Sequence, residues 1–440
     1  MTEIELLINA RWVIPVDPDG CLGHHSIAID QGRILEVLPT AAAAGRYTAN
    51  ETVDLTTHAL IPGLINAHTH AAMVLFRGLA DDLPLMDWLQ NHIWPAEGHW
   101  VSSQFVSDGA QLAVAEMLKS GTTCFSDMYF FPEECARVAR KAGIRACLGM
   151  IVIDFPTVYA GSPAEYLDKG LRLHDDLRGS ELTTVAFAPH APYSVSDEPL
   201  ARIRTLNDEL GLPVHMHIHE TAHEVQDALA QTGRRPLDRL RDLDLLGPHL
   251  IAVHMTQLLS EDIALLAQTG VSVVHCPESN LKLASGFCPV HELLRAGVNV
   301  ALGTDGAASN NDLDMLDEMR VAALLAKAVS GDATALPARQ ALRMATLNGA
   351  RALGLESVTG SISSGKYADL AAIDLARLPS QPIYDPLSQI VYTASRDQVT
   401  DVWVAGRQLL RRGHLTSLDE SEILQRARTW SDRIRERPGP

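Results

Sequence analysis

The sequence has no cluster of basic residues, and its acidic side chains outnumber the basic ones to give a net charge of −18. A phosphate backbone is bound by Lys and Arg gathered on one surface, so no nucleic-acid partner is expected. No apolar run reaches the ~20 residues that a bilayer-spanning helix needs, so no membrane partner is expected either. The opening residues, Met-Thr-Glu-Ile-Glu, lack the basic stretch and apolar core of a secretion signal. The six cysteines, Cys21, Cys124, Cys135, Cys147, Cys276 and Cys288, never form a C-x-x-C pair. That scatter suits free thiols in a reducing compartment, and a cytoplasmic location is expected. Gly303-Thr-Asp-Gly306 lacks the Gly-Lys-Ser/Thr ending of a phosphate loop.

What remains is the composition of a large globular enzyme, 46% hydrophobic and 20% charged over 440 residues. Eight short apolar runs, at 63–68, 122–127, 145–151, 183–189, 213–219, 250–254, 272–276 and 299–304, alternate with amphipathic segments such as 105–119, 133–142 and 313–328. Runs of Val, Ile, Ala and Leu without polar alternation are how strands buried on both faces of a parallel sheet read. Eight of them with helices between predict a TIM-type (β/α)8 barrel over residues 63–359. An open doubly wound sheet is the alternative, but it predicts one crevice rather than polar residues at many strand ends. Residues 1–62 and 360–440 carry further short strands, at 4–8, 25–29, 33–37, 52–55, 370–373 and 402–404. Neither flank has enough strands to bury a face, so one small β-sandwich built from both chain termini is expected. The segment 420–437 is expected to be helical and to end in Pro-Gly-Pro.

The chemistry sits at the ends of the predicted strands. Leu60-Ile-Pro-Gly-Leu-Ile-Asn-Ala-His68-Thr-His70 places two histidines two residues apart, and positions i and i+2 of a strand share a face. His190 ends the fourth run, His217 and Glu220 the fifth, His254 the sixth and Asp305 the eighth. The C-terminal ends of barrel strands form the open mouth where catalytic groups lie. Any one of these histidines alone reads as a hydrogen-bonded core residue, but the whole set does not. Three histidines and an aspartate suit Zn²⁺, and the same donors accept Fe²⁺, Mn²⁺ or Ni²⁺. His68, His70, His217 and Asp305 are the expected ligands, leaving a position for water. Among His215, His217 and His219, all on one strand face by parity, His217 is chosen because Glu220 follows within reach of that water. His215 should lie deeper and His219 at the mouth. No Lys or Glu on the third or fourth strand is available to bridge a second ion, so one zinc per subunit is expected.

Five motifs in order, Pro-Gly-Leu-Ile-Asn-Ala-His-Thr-His, His217-Ile-His-Glu220, Val253-His-Met255, His275-Cys-Pro-Glu-Ser-Asn-Leu-Lys-Leu283 and Leu302-Gly-Thr-Asp-Gly306, resemble the amidohydrolase superfamily. The likeness runs on to Gly365-Lys-Tyr-Ala-Asp-Leu370 and so covers nearly the whole chain. Within the superfamily, Phe76-Arg-Gly-Leu-Ala-Asp-Asp82 and His92-Ile-Trp-Pro-Ala-Glu97 resemble the 5′-methylthioadenosine/S-adenosylhomocysteine deaminases. The resemblance implies metal ligands at His68, His70, His217 and Asp305, a proton-shuttling Glu220 and a His254 that orients the attacking oxygen. It also implies substrate contacts from His190 and from Glu97, the latter to ribose hydroxyls. Glu97 by itself reads as a solvated loop carboxylate. The implied reaction is hydrolytic deamination of a purine nucleoside at C6, with Glu220 moving a proton to ring N1 and Asp305 taking a second one. The H-x-E with P-C-x-x-C signature of the other zinc deaminases is absent. The implied partner is a small-molecule purine nucleoside, and a homo-oligomer is expected. A superfamily hydrolase acting on guanine, a pterin or a triazine is the rival, and an inactive scaffold on the same fold is a second. The stretch Cys147-Leu-Gly-Met-Ile-Val-Ile-Asp-Phe-Pro156 has no Arg or Lys for an amino-acid carboxylate, which favours methylthioadenosine over S-adenosylhomocysteine. Trp88 and Trp94 are expected in the core or in a lid over the purine.

Overall fold

The computed structural model describes residues 1–436. The amino-terminal flank forms β1 (Thr2–Val13), β2 (Leu22–Asp30), β3 (Arg33–Pro39) and β4 (Tyr47–Pro62). The barrel strands follow as β5 (Leu64–Thr69), β6 (Thr122–Asp127), β7 (Arg145–Val152), β8 (Thr183–Pro189), β9 (Val214–Ile218), β10 (Leu250–His254), β11 (Ser272–His275) and β12 (Val300–Leu302). All eight pair in parallel in chain order. Nearly every residue in them is buried, which is why each reads as an apolar run rather than an alternation.

The seam between β12 and β5 is closed just past the end of β12. Thr304 N donates to Asn66 Oδ1 (3.0 Å), Asn66 Nδ2 to Thr304 Oγ1 (2.7 Å) and Asp305 N to His68 O (3.0 Å). The first and last strands are thereby locked together where His68 and Asp305 leave the barrel.

After the barrel come β13 (Leu370–Asp374), β14 (Val399–Val404), β15 (Arg407–Arg411) and β16 (His414–Leu415). They join the amino-terminal strands in one mixed sheet of order β16-β15-β14-β13-β4-β1-β2-β3. The two layers expected of a sandwich are two halves of this continuous sheet. Its turn at Gly32 packs against Ala405 and Gly406, and Ile8, Ile27, Leu370 and Trp403 share one buried cluster. Arg145, at the start of β7, fastens barrel to sheet: its Nε and Nη2 reach the two carboxylate oxygens of buried Asp369 at 2.9 and 3.2 Å. Arg145 therefore faces the end of the barrel opposite to the histidines, as its place in the sequence implies.

Between β5 and Ser103 the chain makes short helical turns at Ala71–Phe76, Leu85–Trp88, Leu89–Ile93 and Trp94–Trp100, which bury Phe76, Leu85, Trp88, Ile93 and Ala96. The carboxy-terminal helix spans Glu420–Glu436; Arg437 and the expected Pro-Gly-Pro end lie outside the described residues. Among the described residues no helix is long and apolar enough to cross a membrane.

Candidate active site

The barrel mouth gathers His68, His70, His217 and Asp305, with one donor atom from each lying within 4.8 Å of all the others. His70 Nδ1 donates to Met128 O (2.5 Å) and His217 Nδ1 to His190 O (2.7 Å), so each presents a bare Nε2 lone pair. His68 Nδ1 meets His215 Nε2 at 3.0 Å, and His215 Nδ1 in turn meets Ser126 Oγ at 3.2 Å. The separations are 3.2 Å between His68 Nε2 and His217 Nε2, and 3.3 and 3.2 Å from Asp305 Oδ1 to His68 and His70 Nε2. Zinc at ~2.0–2.1 Å from nitrogen brings the atoms that share it to roughly 3 Å of one another. Donor chemistry and spacing both fit that ion. Asp305 Oδ2 is turned away and accepts from Ser279 Oγ (2.6 Å) and Ser309 Oγ (2.9 Å), which fixes the orientation of the carboxylate. Burial would push the Asp305 carboxyl up, yet the adjacent His68 and His70 rings hold it well below the usual carboxylate range.

The backbone here is strained where the side chains matter. Asp305, His254 and Met255 lie in the left-handed region, at φ 62°, 74° and 52°. Non-glycine residues held there cost about 1–3 kcal/mol each and cluster at functional sites.

Glu220 is buried beside the ligands, with Oε1 3.8 Å from His254 Nε2. Burial first, then the charges of Asp305 and Glu224, raise its carboxyl well above the usual range. Glu224 holds the turn that carries it, accepting from His219 N (3.0 Å) and Glu220 N (2.7 Å). The His254 ring stacks on His217 with centroids 5.4 Å apart, and burial lowers its pKa to about 3. His190 keeps Nδ1 on Ser194 Oγ (2.7 Å), and its pKa is lowered to about 4, first by burial and then by His70 and His68. Glu97 lies on the wall of the same cavity, where Tyr129 Oη donates to its Oε1 at 2.8 Å. Burial raises the Glu97 carboxyl to about 7 against the lowering effect of that hydrogen bond. Trp88, Trp94, Ile151, Ile153 and Phe155 complete the apolar wall.

All eight residues singled out in the sequence thus line one cavity or its floor. Two neighbours of His217 behave differently from each other. His215 sits deeper, behind His68, as expected. His219 is not at the mouth: its φ of 53° breaks the strand parity and turns it into a buried pocket, where Leu237 N approaches Nε2 at 3.4 Å. The sequence did not single out Tyr129, Ser279, Asn280 or Ser309. Tyr129 stands two residues beyond the second strand, and Ser279 and Asn280 lie inside the motif at 275–283, so strand-end polarity was the signal that could have found them.

A model of the amidohydrolase family matches residues 59–409. The chain is 53% identical over 434 residues to the 5-methylthioadenosine/S-adenosylhomocysteine deaminase of Saccharophagus degradans, covering 98% of this chain and 97% of that one. Among solved structures, an adenosine deaminase from Xanthomonas campestris with bound zinc superposes with a TM-score of 0.98, at 54% identity and 99% of both chains. Atrazine chlorohydrolase from Arthrobacter aurescens, complexed with zinc, superposes with a TM-score of 0.91 over 97% of this chain and 99% of its own, at 22% identity, and shares the fold. The chain belongs to the amidohydrolase family.

Proposed function

We propose that this metal-dependent hydrolase removes the 6-amino group of adenosine-type nucleosides as ammonia, converting 5′-methylthioadenosine to 5′-methylthioinosine. One observation carries the proposal: Glu97, bonded to Tyr129, opens into the same cavity as Glu220 and the histidine cluster. A carboxylate on that wall can accept from the vicinal hydroxyls of a ribose, which a bare guanine, pterin or triazine does not carry. The full-length relative named a 5-methylthioadenosine/S-adenosylhomocysteine deaminase and the zinc-containing adenosine deaminase structure support the same substrate class.

Zinc held by His68, His70, His217 and Asp305 lowers the pKa of a water to roughly 7 and so supplies hydroxide at neutral pH. Glu220 accepts the proton of the attacking water and passes it to purine N1, a task that suits a carboxyl whose affinity for protons is raised. His254 steadies the oxygen arriving at C6 by hydrogen bonding. Asp305 takes the remaining proton of the added oxygen and passes it to the 6-amino group, which departs as ammonia as the C6=O bond forms. Glu97 holds the ribose, and His190 contacts the nucleoside from the fourth strand. The apolar wall around Trp88 and Trp94 excludes water from the purine.

Ammonia release from adenosine, 5′-methylthioadenosine and S-adenosylhomocysteine, compared with guanine and melamine, tests the proposal. Turnover confined to the nucleosides is expected. Turnover of guanine or melamine in their place would overturn it.

A further inference from the structure

Asn280, on the short helix Pro277–Lys282, has no part in the chemistry above, although it stands within one of the family motifs. The helix follows β11, which lies between the strand ending in His254 and the strand leading to Asp305. Two consecutive side chains on it reach both neighbours. Ser279 Oγ bonds Asp305 Oδ2, and Asn280 Nδ2 lies 3.0 Å from His254 Nδ1. Asn280 is 1% exposed, and its backbone N–H is tied to Cys276 O at 3.0 Å, so its amide has little freedom to leave the ring.

A neutral imidazole carries one proton, and the partner of one nitrogen decides whether the other holds it. Here the amide N–H faces Nδ1, which therefore accepts, and the proton is left on Nε2. That is the nitrogen turned into the site, 3.8 Å from Glu220 Oε1. In the opposite tautomer a lone pair would face the incoming oxygen and repel it.

We propose that Asn280 is a positioning residue that holds His254 in the Nε2–H tautomer, so that the ring donates a hydrogen bond to the oxygen attacking C6. The proposal rests on the deaminase reading for its chemistry, but the proton position can be measured without turnover.

Asn280→Asp keeps the shape of the side chain and offers only acceptors, which draws the proton to Nδ1. The variant is expected to lose about 10²-fold in kcat, the scale of one oriented donor, with KM within about twofold and zinc content unchanged. In a His254→Ala background the same change should cost nothing further. Nitrogen NMR of the zinc-loaded protein labelled in histidine, with His254→Gln used to assign the signals, should show the wild-type proton on Nε2. A wild-type proton on Nδ1 would overturn the proposal, as would an Asn280→Asp variant with full kcat, because an amide oxygen accepting from Nδ1–H is replaced by Asp without loss. Losses that add in the double variant would overturn it too. If the wild type releases no ammonia from any nucleoside, the deaminase reading falls, while the nitrogen signals still decide the tautomer.

Discussion

Gly303 and His68 meet backbone to backbone across the seam of the barrel: a Cβ on Gly303 would stand 2.7 Å from His68 N and 2.9 Å from its Cβ. Gly306 has a looser counterpart in His70, whose Cβ would be 3.2 Å away. The glycines on either side of Asp305 let the eighth strand end close enough for its carboxylate to join the two histidines of the first.

Gly303→Ala is therefore expected to push His68 off its ligand position. Overpacking of this kind costs about 1–3 kcal/mol. Zinc per subunit after dialysis should fall well below one, with a lower Tm. A variant that retains stoichiometric zinc would show that the seam yields elsewhere.

Glu220→Gln separates proton transfer from metal binding. The amide fills the same space but cannot relay a proton, so zinc content should stay at the wild-type value. The expected fall in kcat is ~10²–10⁴-fold, the usual contribution of a general acid–base group. More than about a tenth of the wild-type kcat would remove Glu220 from that role.

Glu97 should make the protein less stable as the pH rises. Its folded-state pKa is raised to about 7 from an ordinary value of 4.5, because burial disfavours the carboxylate. Between those values the folded state holds a proton that the unfolded chain has lost, so stability falls from about pH 4.5 to about 7 and stays reduced above. Glu97→Gln removes the titration. Its Tm relative to wild type should be higher at pH 8 than at pH 5, while KM for adenosine rises about tenfold through the lost ribose contact, an effect of ~1.4 kcal/mol. A Tm difference that does not change with pH would contradict this.

The barrel was legible because strands buried on both faces leave no polar residue to interrupt them, and β6, β8 and β10 begin and end at the expected residues. Parity failed where the backbone leaves the strand. His219 shares a face with His217 only on an ideal strand, and its left-handed φ turns it away. Tyr129 and Asn280 were not legible because their partners, Glu97 and His254, lie 32 and 26 residues away on other elements, and only packing brings them together. The terminal sheet shows a further limit: counting short strands predicts the core they share, but not that hydrogen bonds run unbroken from β16 to β3.

The 5′ end of the nucleoside decides the last prediction. S-adenosylhomocysteine brings a carboxylate that needs a cation, best supplied by a bidentate Arg. No Arg or Lys lines the cavity among the described residues. Arg77 pairs with Glu116, and Arg145 is held by Asp369 at the far end of the barrel. Beyond Tyr193, Arg235 and Arg239 are paired with Asp262 and Asp197. Ile151, Ile153 and Phe155 instead offer apolar surface to a methylthio group. Burying a carboxylate without a partner is costly, whereas each buried methyl-sized group gains about 0.8 kcal/mol. Methylthioadenosine should therefore have the highest kcat/KM, adenosine the next, and S-adenosylhomocysteine a value at least roughly tenfold below methylthioadenosine, a gap of ~1.4 kcal/mol. Steady-state kinetics on the three nucleosides checks the order. Equal or better efficiency with S-adenosylhomocysteine would mean that a cation reaches the cavity from outside this set, and the order would be wrong.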